Sequence, residues 1–191
     1  MEDRMFMPAF YRQLKRGPQV ILPKDIGIIM AYTGINKESI CVDAGAGSGW
    51  LAVSMARIAK HVTSYEIRED FAKIAQYNAS KLGLSNIEIK IADITKGIAE
   101  KNIDIVTLDM PNAEKVVRHA YKALKENGYI FAYLPHMEQV KKFIGKLNRY
   151  KFNDIVAIEA IVRDMLVREA GMRPSTKGVW HTAYLVFAQK H

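Results

Sequence analysis

Asp43-Ala44-Gly45-Ala46-Gly47-Ser48-Gly49 decides how this chain reads. The apolar run Ser39 to Ala44 leads into it as a strand. Leu51 to Ala59, with apolar residues at helical spacing, leaves it as a helix. Glycines between a strand and a helix permit a tight turn and let a ligand approach the backbone, while the helix N-terminus offers free N–H groups. A dinucleotide fold holds a pyrophosphate with the same geometry, so the turn alone does not name its ligand.

The rest of the chain alternates in the same way. Pro23, Lys24 and Asp25 lead into a helix expected over Ile26 to Tyr32, which Gly34 stops. His61 to Tyr65 is the second strand, Asp70 to Leu82 a helix ended by Gly83, and Ile87 to Ile91 the third strand. Ile103 to Leu108 is the fourth, its continuous apolar character suiting burial on both faces. Asn112 to Leu124 reads as a helix stopped near Asn127-Gly128, and Tyr129 to Leu134 as the fifth strand. A basic helix follows from Met137 to Tyr150. Ile155 to Val167 and Thr182 to Ala188 read as the last two strands, joined by a loop from Arg168 to His181. Strands alternating with helices predict a Rossmann-like α/β fold with a seven-stranded, mostly parallel sheet covered on both faces. One domain over residues 1–191 is expected, with residues 1–16 as an N-terminal extension.

Acids at successive strand ends give the turn its chemistry. Asp43, at its head, complements a cationic sulfonium and its amino group, whereas it would repel a pyrophosphate. Glu66, roughly twenty residues on, stands where an acid accepts both ribose hydroxyls, a feature that nicotinamide cofactors share. Asp93, after the third strand, can accept a hydrogen bond from an adenine amino group, or can cap a turn. The expected cofactor is S-adenosylmethionine, held by Asp43, Gly45, Ala46, Gly47, Ser48, Gly49, Glu66 and Asp93. Asp109 ends the fourth strand in Leu108-Asp109-Met110-Pro111. Strand carboxyl ends line the crevice of open α/β sheets, so Asp109 is the candidate to face a methyl acceptor, with a helix cap as its alternative role.

Composition narrows the setting. The net charge of +8 points to a polyanionic partner, although a solvated surface would give the same number. Lys141, Lys142, Lys146 and Arg149 on the basic helix carry part of it. The single Cys41, in an apolar run, excludes an internal disulfide framework and a cysteine zinc site, and reads as a buried, inert thiol. No metal is expected. No stretch has the length and apolarity of a membrane span, and residues 1–13 lack the apolar block of a signal peptide, so a cytoplasmic location is expected.

Taken together, the segments resemble the archaeal and bacterial tRNA (adenine-58-N1)-methyltransferase family, from about Gly17 to Lys190. The resemblance lies in Gln19-Val20-Ile21-Leu22-Pro23-Lys24-Asp25, in Tyr65-Glu66-Ile67-Arg68-Glu69-Asp70-Phe71, and in Leu108-Asp109-Met110-Pro111. It continues through Tyr133-Leu134-Pro135 with Gln139, and through Glu159, Arg163, Arg173-Pro174, His181-Thr182-Ala183-Tyr184-Leu185 and Lys190. It implies a class I methyltransferase fold, S-adenosylmethionine with Gln19 and Ile21 contributing near it, and Asp109 as the catalytic carboxylate. It also implies tRNA as partner, a homotetramer, and Pro111, Arg163, Arg173 and His181 shaping the acceptor side, His181 having a structural role as its alternative. The chain departs from the family at Leu22, where an aromatic residue is common, at Asn112-Ala113, and in the short stretch before Gly17 where members carry a small β-rich domain. A decarboxylating precorrin methyltransferase and a non-catalytic tRNA-binding subunit are the competing expectations.

Overall fold

The apolar runs pair as parallel strands through the middle of the molecule. The computed structural model describes residues 7–191, so residues 1–6 of the expected extension lie outside the described residues. Helices α1 (Ala9–Arg12) and α2 (Pro23–Thr33) precede β1 (Ile40–Ala44), α3 (Trp50–Ala56), β2 (His61–Glu66), α4 (Glu69–Lys81), β3 (Ile87–Ile91) and β4 (Ile103–Leu108). Then come α5 (Val117–Ala123), β5 (Leu124–Leu134), α6 (Met137–Leu147), β6 (Phe152–Glu159), β7 (Met165–Arg168), β8 (Gly171–Pro174) and β9 (Tyr184–Lys190).

Seven strands form one sheet in the order β3-β2-β1-β4-β5-β9-β6. The first five are parallel, and β9 runs antiparallel between β5 and β6. The order reverses between β1 and β4, so a crevice opens at their carboxyl ends. Cys41, Val42, Ile105, Val106, Ile130 and Phe131 are essentially inaccessible, as strands covered on both faces require. The α1, α2 and α3 layer packs one face; α5 and α6 pack the other through Val117, Ala120, Val140, Phe143 and Leu147. Burial pushes the Cys41 thiol up, which leaves it inert. Gly34 ends α2 in the left-handed conformation, as expected.

Three expectations fail, each for a local reason. The helix expected over Asn112 to Leu124 begins later and ends sooner. Asn112 is left-handed, a 3₁₀ turn spans Ala113–Lys115, and Leu124 already pairs with Ile103 in β5. Between them, the register shifts after Ile103 and Asn127 turns left-handed, so β5 bulges where a loop was expected. The basic helix stops at Leu147 and tightens into a 3₁₀ turn, Asn148–Tyr150, before left-handed Lys151. The strand expected over Ile155 to Val167 is two strands in different sheets. Glu159 pairs with Tyr184 at the start of β9, and past that pair β6 has no neighbour to follow. The chain leaves the sheet, and β7 pairs with β8 instead, turning through Glu169-Ala170 to a positive-φ Gly171. The stretch expected as a loop therefore holds a hairpin that projects from the sheet.

Candidate active site

Asp43 ends β1 with its side chain buried at 1% exposure. Ser64 Oγ from β2 donates to one carboxylate oxygen at 2.5 Å, and Thr107 Oγ1 from β4 donates to the other at 2.7 Å. Burial pushes the carboxyl up; the two hydroxyls pull it back, and nearby Glu66 adds to the rise.

The loop after Asp43 satisfies itself. Gly45 and Ala46 N–H groups donate to the Tyr65 carbonyl, Gly49 N–H donates to Ala46, and Gly47 N–H donates to Glu66 Oε2 at 2.8 Å. The free N–H cradle expected from the sequence is therefore absent at these four positions. A carboxylate occupies the Gly47 donor that an anion would want, and the other oxygen of Glu66 accepts from Arg68 N–H. Gly45 is left-handed, and a Cβ on it would fall 1.8 Å from the Asp109 carbonyl oxygen. No other residue brings the loop this close to the β4 exit. Gly49 likewise lets α3 close on Ala75 of α4.

Asp43, Gly45, Ala46, Gly47, Ser48 and Asp109 line one cavity, closed on the other side by Gln19, Val20 and Ile21 and floored by Trp50 and Leu51. Ser48 Oγ is buried there without a hydrogen-bond partner among the described residues. Asp109 is half-buried, and desolvation with the charges of Asp43 and Glu66 pushes its carboxyl up to about 7. An orphaned hydroxyl, a glycine loop that a Cβ would fill, and clustered carboxylates short of positive charge fit a cationic, polar cofactor such as S-adenosylmethionine. Gln19 is exposed at the rim and Ile21 is buried, both beside the glycine loop as expected.

Glu66 and Asp93 stand at the ends of β2 and β3, further along the edge, and neither lines that cavity. Asp93 Oδ1 accepts from Thr95 N–H at 2.9 Å and Thr95 Oγ1 at 2.6 Å, capping a 3₁₀ turn; these bonds hold its carboxyl below the usual range. Its capping role is realised, and its second oxygen makes no hydrogen bond among the described residues.

The acceptor-side candidates do not converge. Pro111 is exposed just beyond Asp109. Arg163 donates to the Ser175 carbonyl and lies over Trp180, and Arg173 is exposed on β8; both belong to the projecting extension. His181 closes the base of that extension. Its Nδ1 meets Glu159 Oε1 at 2.6 Å and its Nε2 meets the Pro135 carbonyl at 3.0 Å. A carboxylate and a carbonyl can only accept here, so the ring makes both bonds in its protonated form, when both nitrogens donate. The same two bonds push its pKa up. Both ring nitrogens of His181 are thus engaged within the protein.

Several residues were not singled out from the sequence. Lys24 Nζ donates to Asp25, to the Ala160 carbonyl and to Thr182 Oγ1, tying α2 to both feet of the extension, and Tyr133 donates to the other oxygen of Asp25. Asn78, fully buried, donates to the Lys15 and Ser48 carbonyls and accepts from Lys15 N–H, fixing the glycine loop to the lead-in segment. Polar residues inside otherwise apolar strands (Ser64, Thr107) were the available signal for the Asp43 clamp.

Comparison with known proteins places these features. A profile of the family described as "tRNA methyltransferase complex GCD14 subunit" matches residues 9–180. The tRNA (adenine(57)-N(1)/adenine(58)-N(1))-methyltransferase TrmI of Methanocaldococcus jannaschii is 37% identical over 99% of this chain and 77% of its own length. Among solved structures, a protein of Thermotoga maritima described as a SAM-dependent O-methyltransferase superposes with a TM-score of 0.90 at 33% identity, over 96% of this chain and 71% of the other. The tRNA (m1A58) methyltransferase TrmI of Aquifex aeolicus gives 0.88 at 29% identity, over 95% of this chain and 74% of its own. The fold is that of the class I methyltransferases, and the chain belongs to the GCD14 family of tRNA methyltransferases.

Proposed function

We propose that this chain transfers a methyl group from S-adenosylmethionine to N1 of adenine in the T-loop of tRNA, at position 58 and its neighbour 57. Bound at the glycine loop, that cofactor supplies an electrophilic methyl group carried on a sulfonium. Asp43 and the loop from Gly45 to Gly49 hold it, with Gln19 and Ile21 closing the cavity; Glu66, each of whose oxygens keeps a second lone pair beside its bond to Gly47 or Arg68, and the other oxygen of Asp93 are the acceptors for its ribose and base. The observation that carries the reading is Asp109, which stands at the β4 exit in the same cavity as Asp43 with its carboxyl pushed up to about 7.

Adenine N1 has an in-plane lone pair, so it needs no base to become a nucleophile. Its methylation leaves a cationic ring. In its ionised form Asp109 accepts a hydrogen bond from the exocyclic amine, orients the base and stabilises the growing positive charge. Pro111 shapes the acceptor side, while Arg163 and Arg173 on the extension reach RNA phosphates and His181 holds the base of that extension in place. Ile161, Val162, Met165, Val167, Met172 and Trp180 are all exposed there, more apolar surface than a monomer keeps in contact with water, which supports assembly with further copies of this chain as a homotetramer. A cytoplasmic location accords with this substrate.

The test is purified protein, labelled cofactor and an unmodified tRNA transcript, read by nucleoside mass spectrometry. We expect 1-methyladenosine at the T-loop, lost in Asp109→Ala while cofactor binding persists. Cofactor binding without 1-methyladenosine would overturn the reading.

A further inference from the structure

Val117, Ala120 and Ala123 of α5 share one core with Val140, Phe143 and Leu147 of α6, which turns the opposite faces of both helices to solvent. Those faces carry Lys115, Arg118 and Lys122 on the 3₁₀ turn and α5, and Lys141, Lys142 and Arg149 on α6 and the turn that extends it, all exposed. None of the six is ion-paired with a carboxylate among the described residues. Glu114 and Glu138 alone offset them on these elements and Lys146 of α6 adds a further cation, so the elements hold a net +5 of the chain's +8. Arg118 and Lys122 stand four apart on one helix face, a like-charge pair that costs stability and does nothing for the fold.

The location gives this charge a use. The turn bearing Lys115 follows directly from Asp109-Met110-Pro111, and Lys115 lies within charge reach of Asp93 at the crevice. The α6 helix starts just past the carboxyl end of β5, at the same edge of the sheet, and runs about 16 Å away from it. The basic surface therefore begins at the mouth of the site and leads outward. We propose that the exposed faces of α5 and α6 form the RNA docking surface, where Lys115, Arg118, Lys122, Lys141, Lys142 and Arg149 bind the phosphate backbone of the tRNA whose adenine enters the crevice. The inference rests on the tRNA reading given above.

The experiment measures tRNA affinity of the full chain as a function of salt, alongside cofactor affinity and methyl transfer. Lys141→Gln/Lys142→Gln/Arg149→Gln removes three phosphate contacts. At roughly 0.15 M salt it should weaken tRNA binding about 50- to 150-fold and make the salt slope shallower by about 2–3, with cofactor affinity unchanged. Lys141→Arg/Lys142→Arg/Arg149→Lys should retain wild-type binding. Lys37→Gln/Lys60→Gln/Lys81→Gln removes three exposed cations at the opposite edge of the sheet and should change affinity less than about 3-fold. An equal loss in both glutamine triples, or an unchanged slope in the first, overturns the docking surface. If the wild type methylates tRNA and the first triple binds it as well, the surface alone is wrong. If the wild type neither binds nor methylates tRNA, the surface and the reading beneath it fall together.

Discussion

Gly45→Ala asks most directly whether the loop and the β4 exit form one device. The added methyl would sit 1.8 Å from the Asp109 carbonyl oxygen and 2.7 Å from its carbonyl carbon, and both atoms are backbone. Ordinary carbon contacts begin near ~3.5 Å, so roughly 1.7 Å of separation must be found by moving the loop, the strand end or both. Gly45 is also left-handed at φ 82, which costs an L-residue about 1–2 kcal/mol. The movement strains two hydrogen bonds, Gly45 N–H to Tyr65 at 3.0 Å and Asp109 N–H to Ala44 at 2.8 Å, worth about 1 kcal/mol each. Stability should fall by about 3–4 kcal/mol, measured by chemical denaturation. Displacing the carboxylate by about 1 Å should lower the transfer rate at saturating cofactor by about 100-fold. Gly27→Ala is the control, because a Cβ there meets nothing within 4 Å and α2 should gain about 0.5–1 kcal/mol. A Gly45→Ala enzyme with wild-type stability and a rate within threefold would refute the claimed close approach of the loop to the Asp109 backbone and its proposed link to transfer.

Three further outcomes follow from the site. Because the Asp109 carboxyl is pushed up to about 7, the folded chain holds a proton that the unfolded chain releases near 3.8; ionisation therefore costs stability as pH rises through that window. Asp109→Asn should melt above the wild type near pH ~8, the difference vanishing below pH ~4, and should lose methyl transfer about 100-fold or more. Asn78→Ala leaves two carbonyls and one N–H at the glycine loop without their partner, and should cost about 2–4 kcal/mol in denaturant and weaken cofactor binding in calorimetry. His181 has its pKa raised by Glu159 and Pro135, so its clamp is complete below its unfolded value near 6.5 and is lost as pH rises through the folded value. His181→Gln should therefore expose residues 160–181 to protease at pH ~6 but add little at pH ~9; equal protection in both proteins at the lower pH would show that the clamp does not hold the extension.

The sheet was legible because β1, β4 and the second half of β5 are apolar runs and β3 alternates, each followed by a helix or turn, and the glycine loop marks where the order begins. Ile87–Ile91 and Ile103–Leu108 needed no tertiary information at all. The β6 region was not legible. Its alternation continues through Ile161 and Val162, but a strand lasts only as long as it has a neighbour, and β9 ends the pairing at Glu159. Periodicity reports which residues can face inward and says nothing of what lies beside them. The acids show the same division. Position at a strand end located Asp43, Glu66, Asp93 and Asp109, while their hydrogen-bond partners, Ser64, Thr107, Gly47 and Thr95, come from other elements or from local turn geometry.

Those partners also explain how one loop shape can serve opposite ligands. In a dinucleotide site the N–H groups of the turn are left for a pyrophosphate. Here Gly45, Ala46, Gly47 and Gly49 have spent theirs inside the protein, one of them on the Glu66 carboxylate, so an anion would meet buried acids and none of these four donors. A cation meets the reverse, since Asp43 has neutral hydroxyls against it and desolvation, with the charges of Asp43 and Glu66, pushes the Asp109 carboxyl up to about 7. Any positive charge placed in the cavity lowers the cost of ionising Asp109. Under the proposed function, that ionised carboxylate is the form required to accept a hydrogen bond from an adenine amine. Under that reading, a cationic cofactor in the cavity prepares the acceptor side through a single proton on Asp109, whose carboxyl desolvation and the charges of Asp43 and Glu66 push up.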